Sequence, residues 1–435
     1  MSSIPISFSQ RARHSVEAPI SYLMEQGISN PDIISLAAGL VDQESLPREE
    51  IAEAISHLWK DPRRAKDALQ YGTTPGHHAL RGKIADRLRD MDRHALKGTM
   101  NADDRHPATA GRIVLGTGSQ QLLYILAEVL LDPGDIVLGS APGYFVYMGA
   151  LASFGARIIP IDTDAGGMNL DHLESTLVDL ERSNLLARVK FIYDVTYFNN
   201  PTGLSLAADR RRPLVELAER WSKTHRLLVL EDAAYRELRY HGNDEPSLLA
   251  YDPEGERVIY AGTFSKPLAP GIRTGYIIAP DDLLEQVIRQ KGHHDFGSAS
   301  LNQQLVLEML ESGAYDRHLA TLRKVYSAKL AGMLDQLDQE LGNERDRVRW
   351  TMPEGGLYVW MELPTSLSTT MDSSFFQHAL SSGVLYVPGN FCYPDTDAGA
   401  PRHCLRLSFG HQSIDRCREG VTRLAGVIRQ HLPSS

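Results

Sequence analysis

The stretch Arg112-Ile113-Val114-Leu115-Gly116-Thr117-Gly118-Ser119-Gln120, continued as QLLYILAEVLLDPGDIVL to Leu138, decides the fold class. Its first five residues form a short apolar run closed by glycine, as expected of a strand buried on both faces. A Gly-Ser turn follows, and apolar residues then recur at helical spacing until Asp132-Pro133-Gly134 stops the helix. Asp135-Ile136-Val137-Leu138 opens a second apolar run. Strand, helix and strand in that order make the building unit of an α/β protein. Further strand-like runs stand outward from this unit at 157–160, 189–193, 227–230, 258–260 and 274–278. Their near-continuous apolar character predicts a sheet covered by helices on both faces.

A chain of 435 residues exceeds what one core usually holds, so a second, smaller domain is expected. From about Asp281 the pattern is helical, with a long helix expected from about Tyr315 to Leu341. VRWTMPEGGLYVWMEL and CLRLSFG then read as strands around a helical segment, a smaller α+β unit that the N-terminal arm can join. The division expected is an arm at 1–50, a large domain at 51–312 and a small domain at 313–435. Residues 89–111 are polar without clean periodicity and read as a surface excursion. A formal net charge of −10 argues against a nucleic-acid partner, and no run of 18 apolar residues points to a membrane. The start, MSSIPISFSQRARH, has no apolar leader and reads as unprocessed. Cys392, Cys404 and Cys417 are too few and too clustered for a disulfide framework or a zinc site, which fits a cytoplasmic protein without metal.

Ligands of open α/β sheets bind beyond strand ends, so the polar residues that follow each run carry the chemistry. Lys266 lies in TFSKPLAPGIR, with Thr263, Ser265 and Arg273 close by. An amine able to form a Schiff base, beside hydroxyls and a guanidinium able to hold a phosphate, suits pyridoxal phosphate (PLP). Asp232 follows the run at 227–230, and Tyr235 comes three residues later. A buried carboxylate there can keep a pyridine nitrogen protonated, and the phenol can bond the ring's O3′. Taken alone, Asp232 is better read as a helix N-cap and Tyr235 as a packed ring. Asn199-Asn200-Pro201-Thr202-Gly203 is also a good turn signal, and Tyr144 after the run at 136–138 can stack on a flat ring or simply pack. The turn at Gly118-Ser119-Gln120 opens a helix whose amides can bind phosphate. Arg406, within Leu405-Arg406-Leu407-Ser408-Phe409, faces solvent or pairs with a carboxylate such as an amino acid supplies.

In this order, TFSKPLAPGIRTGY, NNPTG, EDAAY, GSQQ, QYGTTPGHHALR, EGGLYVW and LRLSFG resemble the signature segments of fold-type I PLP-dependent transferases. The likeness is to class I/II aminotransferases of the 2-aminoadipate and kynurenine kind, and it covers most of the chain. It implies a large domain built on a mostly parallel seven-stranded sheet, with a smaller α+β domain. Lys266 would be the Schiff-base lysine, Asp232 the partner of the ring nitrogen, and Tyr235 with Asn200 the pair on O3′. Tyr144 would stack on the ring, while Ser119, Gln120, Thr263, Ser265 and Arg273 hold the phosphate. Arg406, helped by the backbone of Gly39, would bind the substrate carboxylate. A homodimer with shared active sites is implied, Tyr71 reaching the neighbouring subunit's phosphate. The activity implied is transfer of an amino group between an L-amino acid and a 2-oxo acid by a ping-pong mechanism.

The chain departs from this family at one informative place. Where 2-aminoadipate-type members carry an arginine for a side-chain carboxylate, in a segment like SVEAPISYLMEQ, the present chain has Ser21, with Arg11, Arg13 and Glu17 nearby. Aromatic, aliphatic or basic substrates are correspondingly more open. His293 and His294 are unusual for the family; they line the pocket or are merely partly exposed at a helix start. Elimination, decarboxylation and cyclisation use similar residues on this scaffold and form the alternative reading. A regulator that joins the fold to a winged helix needs an extra N-terminal domain, and the family-like segments already begin by about residue 20.

Overall fold

The computed structural model describes residues 6–15, 19–30, 32–96, 105–394 and 399–432. All seven strands expected of the large sheet are present. Across the sheet they run Ile113–Gly116, Gly275–Ile278, Val258–Thr263, Leu228–Asp232, Val189–Asp194, Ile136–Ala141 and Arg157–Asp164, and a two-residue strand, Gly167–Met168, adds a hairpin at the far edge. Gly275–Ile278 is antiparallel to both its neighbours, and the other six strands share one direction. The four strands from Ile136–Ala141 to Val258–Thr263 are almost wholly buried, as their unbroken apolar runs require.

The unit that opened the sequence folds as read. Ser119–Leu130 is a helix that buries Leu122, Leu123, Ile125, Leu126 and Ala127. It ends at Asp132-Pro133-Gly134, where Gly134 takes a left-handed φ of 87°.

A 28-residue helix, Ala314–Leu341, leads out of the large unit and packs on the C-terminal helix Ile414–His431. Beside them the strands Arg349–Trp350, Tyr358–Glu362, Cys404–Ser408 and Val387–Pro388 form an antiparallel sheet, in that order. The arm joins this smaller unit. Ile34–Ser35 pairs with Val384–Leu385, and Ser408 N donates to Leu36 O at 2.7 Å. That path carries Gly39 to the face of the large sheet.

The excursion expected at 89–111 is corrected in its first part, because the helix His78–Ala95 runs through it. Its periodicity is hidden by Asp92, which sits on the buried face with Leu80, Ile84, Ala85 and Leu88. Burial alone would raise the Asp92 pKa, but Arg236, whose Nη2 lies 2.6 Å away, holds the carboxyl well below its ordinary range. His106 and the Ser247 amide complete its bonds. Residues 97–104 of the excursion, like Glu17, lie outside the described residues. No helix among the described residues is long and apolar enough to cross a membrane.

Candidate active site

A cavity of about 280 Å³ opens at the C-terminal ends of the parallel strands, under the small sheet. Each wall comes from a strand end. Leu228–Asp232 delivers Asp232, Val258–Thr263 delivers Thr263 and then Ser265 and Lys266, and the loop after Val189–Asp194 brings Asn200. Tyr144 follows Ile136–Ala141, while Ser119 and Gln120 start the helix after Ile113–Gly116. Arg406 on Cys404–Ser408 and Gly39 on the arm close the opposite side. Of the thirteen residues expected at the site, these ten, with Arg273 and Tyr235, meet in this one cavity. Tyr71 does not line it; it is 81 % exposed, edge-on to Phe296 at 5.8 Å.

At one end the backbone forms a cradle. Gly118, at φ 76°, precedes the helix, and a Cβ there would come within 2.6 Å of Arg273 Nη2. Arg273 is itself left-handed at φ 49°, with Nη2 on Thr117 O at 3.3 Å. Helix amides, hydroxyls and a guanidinium converge here, as a phosphate site needs. Lys266 Nζ donates to Gly39 O at 3.0 Å and lies 6.0 Å from the centre of the Tyr235 ring.

Asp232, on the same cavity, is buried, accepting from Tyr193 Oη at 3.1 Å and from the Ala234 amide at 3.2 Å. Burial pushes its pKa up to about 6, the two hydrogen bonds oppose that, and the charge of Asp194 adds to it. It forms no ion pair with a cation among the described residues, so the group missing from its surroundings is positive. A protonated pyridine would supply that charge, and the cradle, amine and carboxylate that line this one cavity are the set of groups PLP needs.

Above, Arg406 donates through Nη1 to Asn200 Oδ1 at 2.7 Å and through Nη2 to Ala37 O at 2.6 Å. Its buried Nε has no partner, so the guanidinium keeps capacity for a carboxylate. Sequence reasoning missed Tyr358, whose hydroxyl is 3.2 Å from that of Tyr235 and whose ring lies 4.3 Å under the Arg406 guanidinium. The signal was the alternation of Tyr358 and Trp360 on a strand paired with Arg406.

His293 and His294 do not line the cavity from their own subunit; His294 Nε2 sits 2.6 Å from Glu128 Oε2. Ser21 is exposed and Arg11 pairs with Glu128, away from the cavity. A wider groove of about 730 Å³ runs past Arg87, Arg236 and Glu237, but ion pairs such as Arg87–Asp316 at 2.8 Å occupy its charges. The three cysteines are buried, which pushes Cys392 and Cys404 up to about 12 and Cys417 to about 11, leaving them inert thiols.

An α/β sheet whose strand ends bring a lysine amine, a phosphate cradle and an unpaired buried carboxylate into one cavity defines a PLP-dependent enzyme. The chain belongs to the aminotransferases of class I and II, whose family model matches residues 31–424. It is 33% identical to aromatic-amino-acid aminotransferase 1 of Thermococcus litoralis, over 98% of this chain and 94% of that one. To the 2-aminoadipate transaminase of Thermus thermophilus it is 36% identical, over 92% and 91%. A solved kynurenine aminotransferase of Pyrococcus horikoshii, in complex with PMP, matches with a TM-score of 0.87 at 33% identity, covering 98% of both chains.

Proposed function

We propose that Lys266, Asp232 and Arg406 divide the work of transamination between an L-amino acid and a 2-oxo acid at this cavity. The observation that carries the reading is that the cradle, the Lys266 amine and the uncompensated Asp232 carboxylate line one cavity. When bound, PLP supplies an aldehyde that condenses with amines and a cationic ring that draws electrons from the substrate's α-carbon. Lys266 would hold the cofactor through its Nζ, and the same Nζ, when free, would carry the proton that leaves the substrate's α-carbon. Asp232 keeps the ring nitrogen protonated, and Tyr235 with Asn200 donates to O3′. Tyr144 covers one face of the ring. Ser119, Gln120, Thr263, Ser265 and Arg273 hold the phosphate, and Arg406 with the Gly39 backbone holds the substrate carboxylate.

The cations lining the cavity are Lys266, Arg273 and Arg406, each with a role in this scheme, while Leu40, Phe145 and Val146 make up an apolar wall. This favours a donor with a neutral, largely apolar side chain. The exposed pair Tyr71 and Phe296 supports a homodimer in which Tyr71 completes the partner's phosphate site. The division into an arm at 1–50, a large domain at 51–312 and a small domain at 313–435 belongs to the same reading, as does a cytoplasmic location. The test is borohydride reduction of the PLP-loaded protein, followed by peptide mapping. The pyridoxyl group should be found on Lys266, and a modification at any other lysine would overturn the assignment.

A further inference from the structure

Tyr193 belongs to no part of the machinery assigned so far, yet among the described residues it makes the one side-chain hydrogen bond that Asp232 receives. It lies on Val189–Asp194, the strand beside Leu228–Asp232, and its register partner is Leu230. Side chains two residues apart share a face, so Tyr193 and Asp232 project to the same side of the sheet. The phenol is 2 % exposed. Its ring is fixed edge-on against Tyr147, 4.7 Å between centres, so the hydroxyl has little freedom to turn away. Packing alone does not require that hydroxyl, because a phenylalanine would fill the same space.

The other groups facing Asp232 do not replace this bond. They are the Ala234 amide on the second oxygen, the carboxylate of Asp194 at the neighbouring strand end, and the phenols of Tyr144 and Tyr147. The Tyr147 hydroxyl is buried without a hydrogen-bond partner. Asp194 works against ionisation, as a like charge does. A donor to a carboxylate favours the charged form and fixes its orientation. Tyr193 is the side chain that supplies one.

We propose that Tyr193 is a positioning residue for the cofactor's ring nitrogen, its hydroxyl holding Asp232 ionised and turned so that the free lone pairs face the cavity. The proposal rests on Asp232 being the partner of that nitrogen. It predicts that cofactor binding fails on the acid side at a pH set by Asp232, and that the Tyr193 hydroxyl lowers that pH.

The experiment measures the PLP dissociation constant of Tyr193→Phe, Tyr147→Phe, Asp232→Asn and the parent protein from pH 5 to 8, by fluorescence quenching. For Tyr193→Phe the dissociation constant at neutral pH should rise roughly tenfold, the size of one hydrogen bond to a charged group. The acid limb of its binding curve should move up by roughly one pH unit. Tyr147→Phe, which loses an unbonded hydroxyl, should match the parent. The proposal is overturned if Tyr193→Phe binds PLP as the parent does at every pH, or if Tyr147→Phe shifts the curve equally. Parent-like binding by Asp232→Asn would instead remove the reading beneath it. Should Tyr193→Phe fail to fold, Tyr193→Leu removes the same donor, and its acid limb must likewise lie above the parent's.

Discussion

At the Arg406 side chain three contacts meet: Asn200 Oδ1 at 2.7 Å, Ala37 O at 2.6 Å and the Tyr358 ring at 4.3 Å. The guanidinium is therefore aimed before any substrate arrives, with its Nε still unbonded. Pre-aimed cations gain affinity because little side-chain entropy is lost on binding. Arg406→Ala should raise KM for the amino acid by roughly 10- to 100-fold with a smaller change in kcat, because the carboxylate is gripped alike before and during proton transfer. Steady-state kinetics against the amino donor read this directly, and an unchanged KM would remove the clamp. A charged residue inside an apolar alternation was visible in the sequence as a choice between solvent and carboxylate; the strand's burial on both faces decides for the interior.

Among the elements, the strand Gly275–Ile278 and the helix Ser119–Leu130 approach each other most closely at the phosphate cradle. A Cβ on Gly275 would lie 2.3 Å from Ser119 N and 2.6 Å from the Gly118 carbonyl carbon, both backbone atoms that cannot step aside. Gly275→Ala should therefore push the helix start away from the sheet. The expected cost is about 1–3 kcal/mol of stability, with a weakened affinity for PLP, measured by denaturant unfolding and cofactor titration. Parent-like values in both would show that the cradle tolerates the displacement. What was legible in the sequence follows from this geometry. Strand ends were marked by apolar runs that stop, so Asp232, Lys266 and Asn200 could be placed from one chain alone. Tyr193 and Tyr358 were not, because an aromatic residue inside a strand pattern looks the same whether its hydroxyl is bonded or idle. The end of the helix His78–Ala95 was read as a surface excursion from residue 89 because a buried ion pair, Asp92 with Arg236, mimics a polar surface.

For the molecule as a whole, the site is a local cost to folding when the cofactor is absent. Asp232 has a folded-state pKa of about 6, above the roughly 3.9 of an unfolded aspartate. Below about pH 4 it is protonated in both states and costs nothing. As pH rises through 6 the folded state must ionise a buried group without a cation, and up to about 3 kcal/mol of stability is lost. Cofactor-free Asp232→Asn should accordingly melt higher than the parent at pH 7.5, and the gain should vanish near pH 4. An equal Tm at both pH values would mean that a cation already compensates Asp232. On the proposed reading PLP would restore that compensation and link the stability of the fold to its chemistry. The most direct test of that chemistry is the absorbance spectrum of PLP-loaded protein, recorded while amino acids with apolar side chains are added without any 2-oxo acid. The account predicts that a donor removes the visible band, leaves the pyridoxamine form, and that a 2-oxo acid then restores the band. A visible band that persists with every amino acid, or that decays to pyruvate and ammonia without an acceptor, would contradict it.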